Sequence, residues 1–512
     1  MILLIVLSGC SARDHRLAQE QGESIRSEVI SEVSRFRSEE LIDPFSQGVK
    51  EDSESPPLIT EQITLESALK LSTRLNRGYL SQRESLFQSA LSLGVTRRDF
   101  LRPVFSGNLS YNVSGSSDQD ELSKVAGLSL NGQQYLFTGG RLSISAGSDR
   151  VDDGLTDPSD YSGNFSASIS QPLLRGAGKN IPYDALTGAE RNLLYAARNF
   201  ESYRQSFAIQ ITREFYNLLS QKIQLNNAEE NVRGQQFAYD QAKALFRIGT
   251  GSSLDVFRAE QALLVAKNSQ SNAIEQFQNA LDTFKIDLGV SIDSDIELIG
   301  EFPELSEFSI SLEAALAAAM NNRLDLLTAR DQLEDVEGDL EIAQNGLLPD
   351  LNLNLSYGSS SAIADSFSDL DWDDSESYSA GLNLEIPLDR LSRRNAFRNA
   401  EIALDREIRA YDLKEQQVRL EVQSALRQLD QLKFQLEIGS RTIKSLSLTV
   451  EKAEIDQTRG TVTNRDVVEA QTALTDAKND QLDRIVAHEI QILEIYRLLG
   501  LLFVSEEGMI IS

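Results

Sequence analysis

Few side chains in this sequence are equipped for chemistry, and those few stand far apart. Cys10 is the only cysteine, and His15 and His488 are the only histidines. One thiol and two imidazoles so separated supply no internal disulfide, no cysteine-based metal site and almost no material for histidine acid/base work. The string Gly176-Ala177-Gly178-Lys179 invites a phosphate-loop reading, but the earlier glycine and the following Ser or Thr are missing, so it marks a strand-to-helix turn instead. No catalytic residue, metal ligand or cofactor site is assigned. Carboxylates are abundant, with 78 acidic against 49 basic residues and a net charge of −29. That charge repels phosphate backbones, which excludes nucleic acid as a partner, and it suits a solvated surface or a cation-attracting interior.

Among the carboxylates, Asp466 and Glu469 lie three apart at the start of a predicted helix and share a face. For Asp466 a local explanation competes with a functional one: Thr463 or Asn464 can cap the helix, and an acid in the first turn offsets its dipole. Asp255 takes the same place in an earlier segment, whereas the counterpart of Glu469 is Arg258.

These counterparts exist because the chain repeats itself. ITLESALKLSTRLNRGYLSQRESL from Ile63 matches ISLEAALAAAMNNRLDLLTARDQL from Ile310. Gly249 pairs with Gly460, Asp255 with Asp466, and Leu288-Gly289 with Leu499-Gly500, all at an offset of 211. Chance similarity between helical segments does not hold one offset. Each copy reads as leading helix, extended hairpin region, very long helix, tight turn and returning helix. The second long helix carries apolar residues at Leu404, Ile408, Tyr411, Val418, Val422, Ala425, Leu429, Leu432 and Leu436, a helical stripe. From about Tyr183 to Ile248, and from Arg390 to Arg459, the rods would each run about 100 Å. The leading helices, about Leu65 to Phe100 and Leu312 to Leu347, and the returning ones, Leu254 to Leu288 and Arg465 to Leu499, are half as long.

Leu351-Asn-Leu-Asn-Leu-Ser-Tyr357 alternates strictly, as do Phe105, Leu109, Tyr111 and Val113 against Ser106, Asn108, Ser110 and Asn112. Phe165, Ala167 and Ile169 alternate with serines. Strands of about ten residues with one apolar and one small-polar face suit a transmembrane barrel with a wet lumen. The stretch from Val125 to Gly147 adds a hairpin turning at Thr138-Gly139-Gly140, which leaves four or six strands per chain. Either number is too few for a closed barrel, so a membrane reading requires several copies.

At the amino terminus, residues 2 to 7 form an apolar run too short to span a bilayer, ending in Leu7-Ser8-Gly9-Cys10, a string similar to a lipoprotein processing box. Residues 1–10 are therefore expected to be a signal segment that leaves Cys10 lipidated, and 11–62 a charged, Ser-rich tether. Residues 63–300 and 301–503 form the two repeats, with 504–512 as a tail. The expected fold is mainly α with membrane β: a tandem-repeat protomer of very long antiparallel helices plus β-hairpins.

The tandem order of helix, hairpin, long helix, glycine turn and Asp-Val return resembles the TolC-like outer-membrane efflux proteins from about Ile63 to Phe503. Its most specific strings are Gln171-Pro172-Leu173 and Ile386-Pro387-Leu388, Pro103 and Pro349, and the two Gly-to-Asp-Val turns. The resemblance implies a homotrimer in outer-membrane lipid, forming one β-barrel continued by a periplasmic α-helical barrel. It further implies docking to a periplasmic adaptor (membrane fusion) protein and an inner-membrane pump, as the exit duct of a tripartite efflux or type I secretion system. By the same resemblance, Asp466 and Glu469, repeated by threefold symmetry, would form a constricting ring that attracts cations and raises each member's pKa. Arg247, Gly249, Thr250, Ser252, Arg459, Gly460, Thr461 and Thr463 are the candidates for adaptor contact at the tip. Related proteins close that tip with a tyrosine and an arginine; the matching positions here are Gln457 and Val462, with Arg459 or Arg465 as substitutes. A periplasmic coiled-coil scaffold or adaptor would share the rods without lipid-facing strands. A glycosidase using two carboxylates would need a pocket that the repeat does not suggest.

Overall fold

The computed structural model describes residues 57–58, 60–115, 122–152, 160–178, 180–300, 302, 305, 308–372, 375–459, 461–505 and 508–511. The expected signal segment with Cys10, most of the expected tether and Gly460 lie outside the described residues. Two compact units share the chain. Of the described residues, a helical unit comprises those up to Ser85, those within Ala197–Leu327 and those from Lys414 onward, and a strand-bearing unit comprises those within Leu86–Ala196 and Thr328–Leu413.

The elements follow the repeat. The first copy holds α1 (Leu65–Leu75), α2 (Arg77–Leu101), β2 (Val104–Ser114), β3 (Ser123–Tyr135), β4 (Arg141–Asp152), β5 (Asp160–Pro172), α3 (Asn180–Arg247) and α4 (Ser253–Leu288). The second holds α5 (Leu312–Asn322), α6 (Leu324–Asn345), β7 (Asp350–Ser360), β8 (Glu376–Glu385), α7 (Leu391–Thr458) and α8 (Asn464–Leu498). Helices α3 and α7 are each 68 residues long. At 1.5 Å per residue that is about 100 Å of continuous helix. Among the described residues no helix is long and apolar enough to cross a membrane.

Each leading helix was expected to be one piece, and each is instead broken after 11 residues. The breaks fall at Asn76 and Arg323, whose ψ angles of 122° and 121° leave the helical region. Both residues have strong side-chain partners outside the helix. Asn76 Oδ1 accepts from Tyr79 N at 2.8 Å, capping α2, while Asn76 Nδ2 donates to the Asp287 carbonyl at the end of α4, also at 2.8 Å. Arg323 donates to Asp325 at 2.9 and 2.7 Å and to Glu421 at 2.5 Å. Asparagine gives up helix propensity to make such local bonds.

In the helical unit α8 lies between α3 and α7 and runs antiparallel to both. Toward α3, Arg213 meets Glu494, Ser220 and Gln224 meet Asp483 (3.0 and 2.9 Å), and Asn227 meets Asn479 at 2.8 Å. Toward α7, Gln491 donates to the Ala425 carbonyl at 3.0 Å, Gln481 to Leu436 O at 3.3 Å and Gln471 to Glu454 at 3.1 Å. This amide-rich seam fixes the axial register of the rods, because each paired donor must find its acceptor on the next helix. Apolar burial concentrates where the returning helices end, with Ile211, Phe215, Phe284 and Leu288 in one cluster and Ala315, Val418, Val422, Ile495 and Leu499 in another. Two small strand pairs complete the unit. β1 (Thr60–Ile63) pairs parallel with β6 (Asp295–Leu298), at the end of the expected tether. β9 (Leu502–Ser505) pairs antiparallel with β10 (Gly508–Ile511), in the segment read as a tail.

The strand-bearing unit contains one six-stranded antiparallel sheet in the order β2-β3-β4-β5-β7-β8. Among the described residues, the strand number left open by the sequence is thus six in this sheet. The β3–β4 turn is pinned near the start of α3: Phe137 stacks on Tyr183 at 5.9 Å between centroids, and Tyr183 packs on Phe100 at 4.9 Å. Gly139 in that turn has φ +86° and abuts Gly176, Pro182 and Pro172, so only glycine fits there.

Candidate functional site

The register of the sheet sorts its side chains into two chemically distinct faces. Leu109 opposes Leu128, Ala146 opposes Phe165, Ile169 opposes Leu355, and Tyr357 opposes Tyr378. Directly paired residues point to the same side. One face therefore carries Phe105, Leu109, Tyr111, Leu128, Leu130, Ile144, Phe165, Ile169, Leu353, Leu355, Tyr357, Tyr378, Leu382 and Leu384. The other carries Ser106, Asn108, Ser110, Ser129, Asn131, Ser143, Ser145, Ser166, Ser168, Asn352, Asn354, Ser356, Ser379 and Asn383. Hydroxyls and amides of this second face bond across strands: Ser145 to Ser166 at 2.7 Å, Ser170 to Asn354 at 2.8 Å and Ser356 to Ser379 at 2.8 Å.

Among the described residues of a single copy, most of the apolar face is uncovered, Trp372 over Gly163 being a local exception. Leu109 is 81% exposed, Tyr378 88% and Leu382 68%. A soluble one-sided sheet would bury such residues under helices. Among the described residues both faces are largely open, and the terminal strands β2 and β8 each have no strand paired on their outer edge.

The two interhelical turns share one construction. Thr250 N donates to Leu245 O at 3.1 Å and Thr250 Oγ1 to the same carbonyl at 3.3 Å. Thr461, at the equivalent place, donates from N and from Oγ1 to Asp456 O, both at 3.0 Å. Arg247 ends α3, and Gly249 adopts φ +80°. Ser252 caps α4 by accepting from Leu254 N at 3.1 Å. Arg459 stands 3.8 Å from Asp456.

Asp466 is engaged locally: Thr463 N and Oγ1 donate to its Oδ2 at 2.8 and 2.7 Å. The hydrogen bond from the Thr463 side chain, followed by that from its backbone, holds the Asp466 carboxyl below the usual carboxylate range. Glu469 is solvent-exposed and lies 3.6 Å from Arg465. The structure thus separates the pair: Asp466 builds the helix start and Glu469 projects from it.

The turns also differ in a way the repeat alignment did not reveal. Phe246, Ile248, Leu254 and Phe257 are exposed around the first turn, Phe257 to 65%. Their counterparts in the second turn are Gln457, Arg459, Arg465 and Val468. Reading apolar content position by position across the 211-residue offset would have found this asymmetry. A second feature had no local signal: Arg323, Asp325, Lys414 and Glu421 form a network in which Lys414 lies 2.7 Å from Asp325. Burial pushes the Asp325 carboxyl up, but hydrogen bonds from Arg323 and Lys414 outweigh it and hold the group well below the usual carboxylate range.

Known proteins share this plan. A family model described as outer membrane efflux protein matches residues 107–286 and 315–501. The outer membrane protein TolC of Vibrio cholerae is 22% identical over 213 residues, which are 40% of this chain and 47% of that protein. The match thus spans about half that relative's length. Among solved structures, CusC superposes with a TM-score of 0.66 at 16% identity, over 86% of this chain and 93% of its own. The outer membrane channel CmeC of Campylobacter jejuni superposes at 0.65 and 16% identity, over 88% of this chain and 90% of its own.

Proposed function

We propose that this chain, which belongs to the outer membrane efflux protein family, is one protomer of an exit duct that passively conducts cargo across the outer membrane for a tripartite efflux or type I secretion system. The observation that carries the reading is the six-stranded sheet with an uncovered apolar face, a serine and asparagine face behind it and two open edges. Lipid on one side, water on the other and copies of the same chain at the edges satisfy all three at once. A periplasmic scaffold would leave that apolar face in water.

On this reading the assembly is a homotrimer whose helical part lies in the periplasm, where it meets an adaptor protein served by an inner-membrane pump. The exposed Phe246, Ile248, Leu254 and Phe257 make the first turn the apolar half of the docking tip, beside Arg247, Gly249, Thr250 and Ser252. The second turn, Arg459, Gly460, Thr461 and Thr463, supplies the polar half. Glu469, freely exposed, is the ring-forming carboxylate, and Asp466 positions the helix start from which it projects. Residues 63–300 and 301–503 act as the two repeats of the protomer, and Cys10 as its lipid attachment. No catalytic residue takes part.

The test is purification in detergent followed by planar-bilayer recording. Threefold particles with cation-selective conductance are expected. A detergent-independent soluble monomer without conductance would overturn the proposal.

A further inference from the structure

We infer that the β3–β4 hairpin is part of the pore wall itself, so that each chain supplies six strands and three copies close a barrel of about 18 strands. One hairpin per repeat, as in the second copy, would give about 12. This inference rests on the membrane reading of the sheet proposed above.

Three observations support it. First, the hairpin is interposed between β2 and β5 and paired along its whole length on both sides. The β2–β3 ladder runs from Val104 opposite Gln133 to Ser114 opposite Ser123, and the β4–β5 ladder from Arg141 opposite Ser170 to Val151 opposite Asp160. A plug or a surface flap would leave β2 and β5 joined to each other. Second, the hairpin keeps the two-faced pattern of its neighbours, with Leu128, Leu130, Ile144 and Ala146 on the apolar side and Ser129, Asn131, Ser143 and Ser145 on the polar side. Third, β3 and β4 are 13 and 12 residues long, enough to cross the apolar band at a barrel's tilt.

The partner surface follows. With six alternating strands, β2 and β8 run in opposite directions. The β8 edge of one copy can therefore pair antiparallel with the β2 edge of a second copy, and the head-to-tail contact closes into a ring. At about 4.8 Å between strands and about 40° of tilt, 18 strands give a backbone diameter of about 36 Å, against about 24 Å for 12. The ratio is about 1.5 in diameter and about twofold in cross-section.

The experiment compares the full chain with a variant lacking residues 123–152, which joins β2 to β5 with their opposite directions and apolar faces preserved. Both are imaged end-on in detergent by cryo-electron microscopy. Threefold particles whose strand band narrows about 1.5-fold on deletion are expected. Equal widths, or a twofold full-length particle closed by two chains, would overturn the inference while leaving the duct itself standing. A full-length protein that forms no membrane assembly would remove the duct reading as well. If the deletion variant fails to fold, the full-length width decides alone: about 36 Å supports the inference and about 24 Å overturns it.

Discussion

Asn322 leaves no room for a side chain on Gly500: a Cβ there would stand 2.7 Å from the Asn322 Cβ and 2.8 Å from its carbonyl oxygen. Gly289, 211 positions earlier, is pressed in the same way against Leu75 and Asn76. Both glycines have positive φ, 70° at Gly500 and 81° at Gly289, and each lets a returning helix end against the break in a leading helix. The same contact is thus built twice, once in each repeat.

Gly289→Ala should cost about 2 kcal/mol or more, because a left-handed alanine is strained and its Cβ overlaps backbone that cannot move aside. Gly94→Ala, in the exposed middle of α2 with open space around it, should be neutral or stabilising by up to about 1 kcal/mol. Thermal melts of the two variants check the pair. Equal midpoints would contradict the close approach.

Burial pushes the Glu214 carboxyl up to about 7, against a hydrogen bond from Gln210 and with the Asp287 carboxylate adding to the rise. A carboxyl whose folded pKa is raised contributes stability that is complete below its unfolded pKa and is lost as pH climbs through the folded value. Glu214→Gln should therefore gain on the parent protein between about pH 5 and pH 8, by about 2 °C or more in melting midpoint. Scanning fluorimetry across that range would show parallel curves if the group were unshifted.

Asp325 has the opposite sign. Its depressed pKa gives stability present above the ordinary carboxylate range and lost as pH falls below it. Asp325→Asn should destabilise the helical unit by about 1–2 kcal/mol at pH 7, because the buried Arg323 guanidinium loses one of its two carboxylate partners while the partly exposed position of Asp325 screens the pair. The loss should shrink in acid, which denaturant titrations at pH 7 and pH 3 would reveal.

Neighbouring residues on β3 should behave as opposites. Leu130→Arg puts a charge on the apolar side of the sheet; if that side meets lipid as proposed, the cost is about 2–4 kcal/mol near the bilayer midplane and the detergent-stable oligomer should be lost. Ser129→Arg should assemble and shift conductance toward anions. Native gels and bilayer recordings together read both results, and reversed outcomes would invert the face assignment.

Asp466→Ala should loosen the start of α8, because Thr463 loses its acceptor, and thus lower the melting midpoint. Glu469→Gln should leave that midpoint unchanged while reducing cation preference. If Asp466→Ala alone altered selectivity, the division of roles between the two would be wrong.

The local features were legible in the sequence. Period-two alternation in 351–357 and 105–113 and the stripe through Val418, Val422 and Leu429 are properties of short windows. So are the turns at Gly249 and Thr461, set by residues within five positions of each other. Family resemblance could be read because the 211-residue offset preserves these windows twice. Only the tertiary structure decided that Leu128 stands opposite Leu109 while Ser148 stands opposite Leu128, and hence that six strands share one sheet. It alone broke the leading helices at Asn76 and Arg323, whose partners Asp287 and Glu421 lie 211 and 98 residues away. The physical reason is range. Backbone periodicity is settled by neighbours along the chain, whereas strand pairing and buried ion networks are settled by which distant donors and acceptors the packed chain brings within hydrogen-bonding distance.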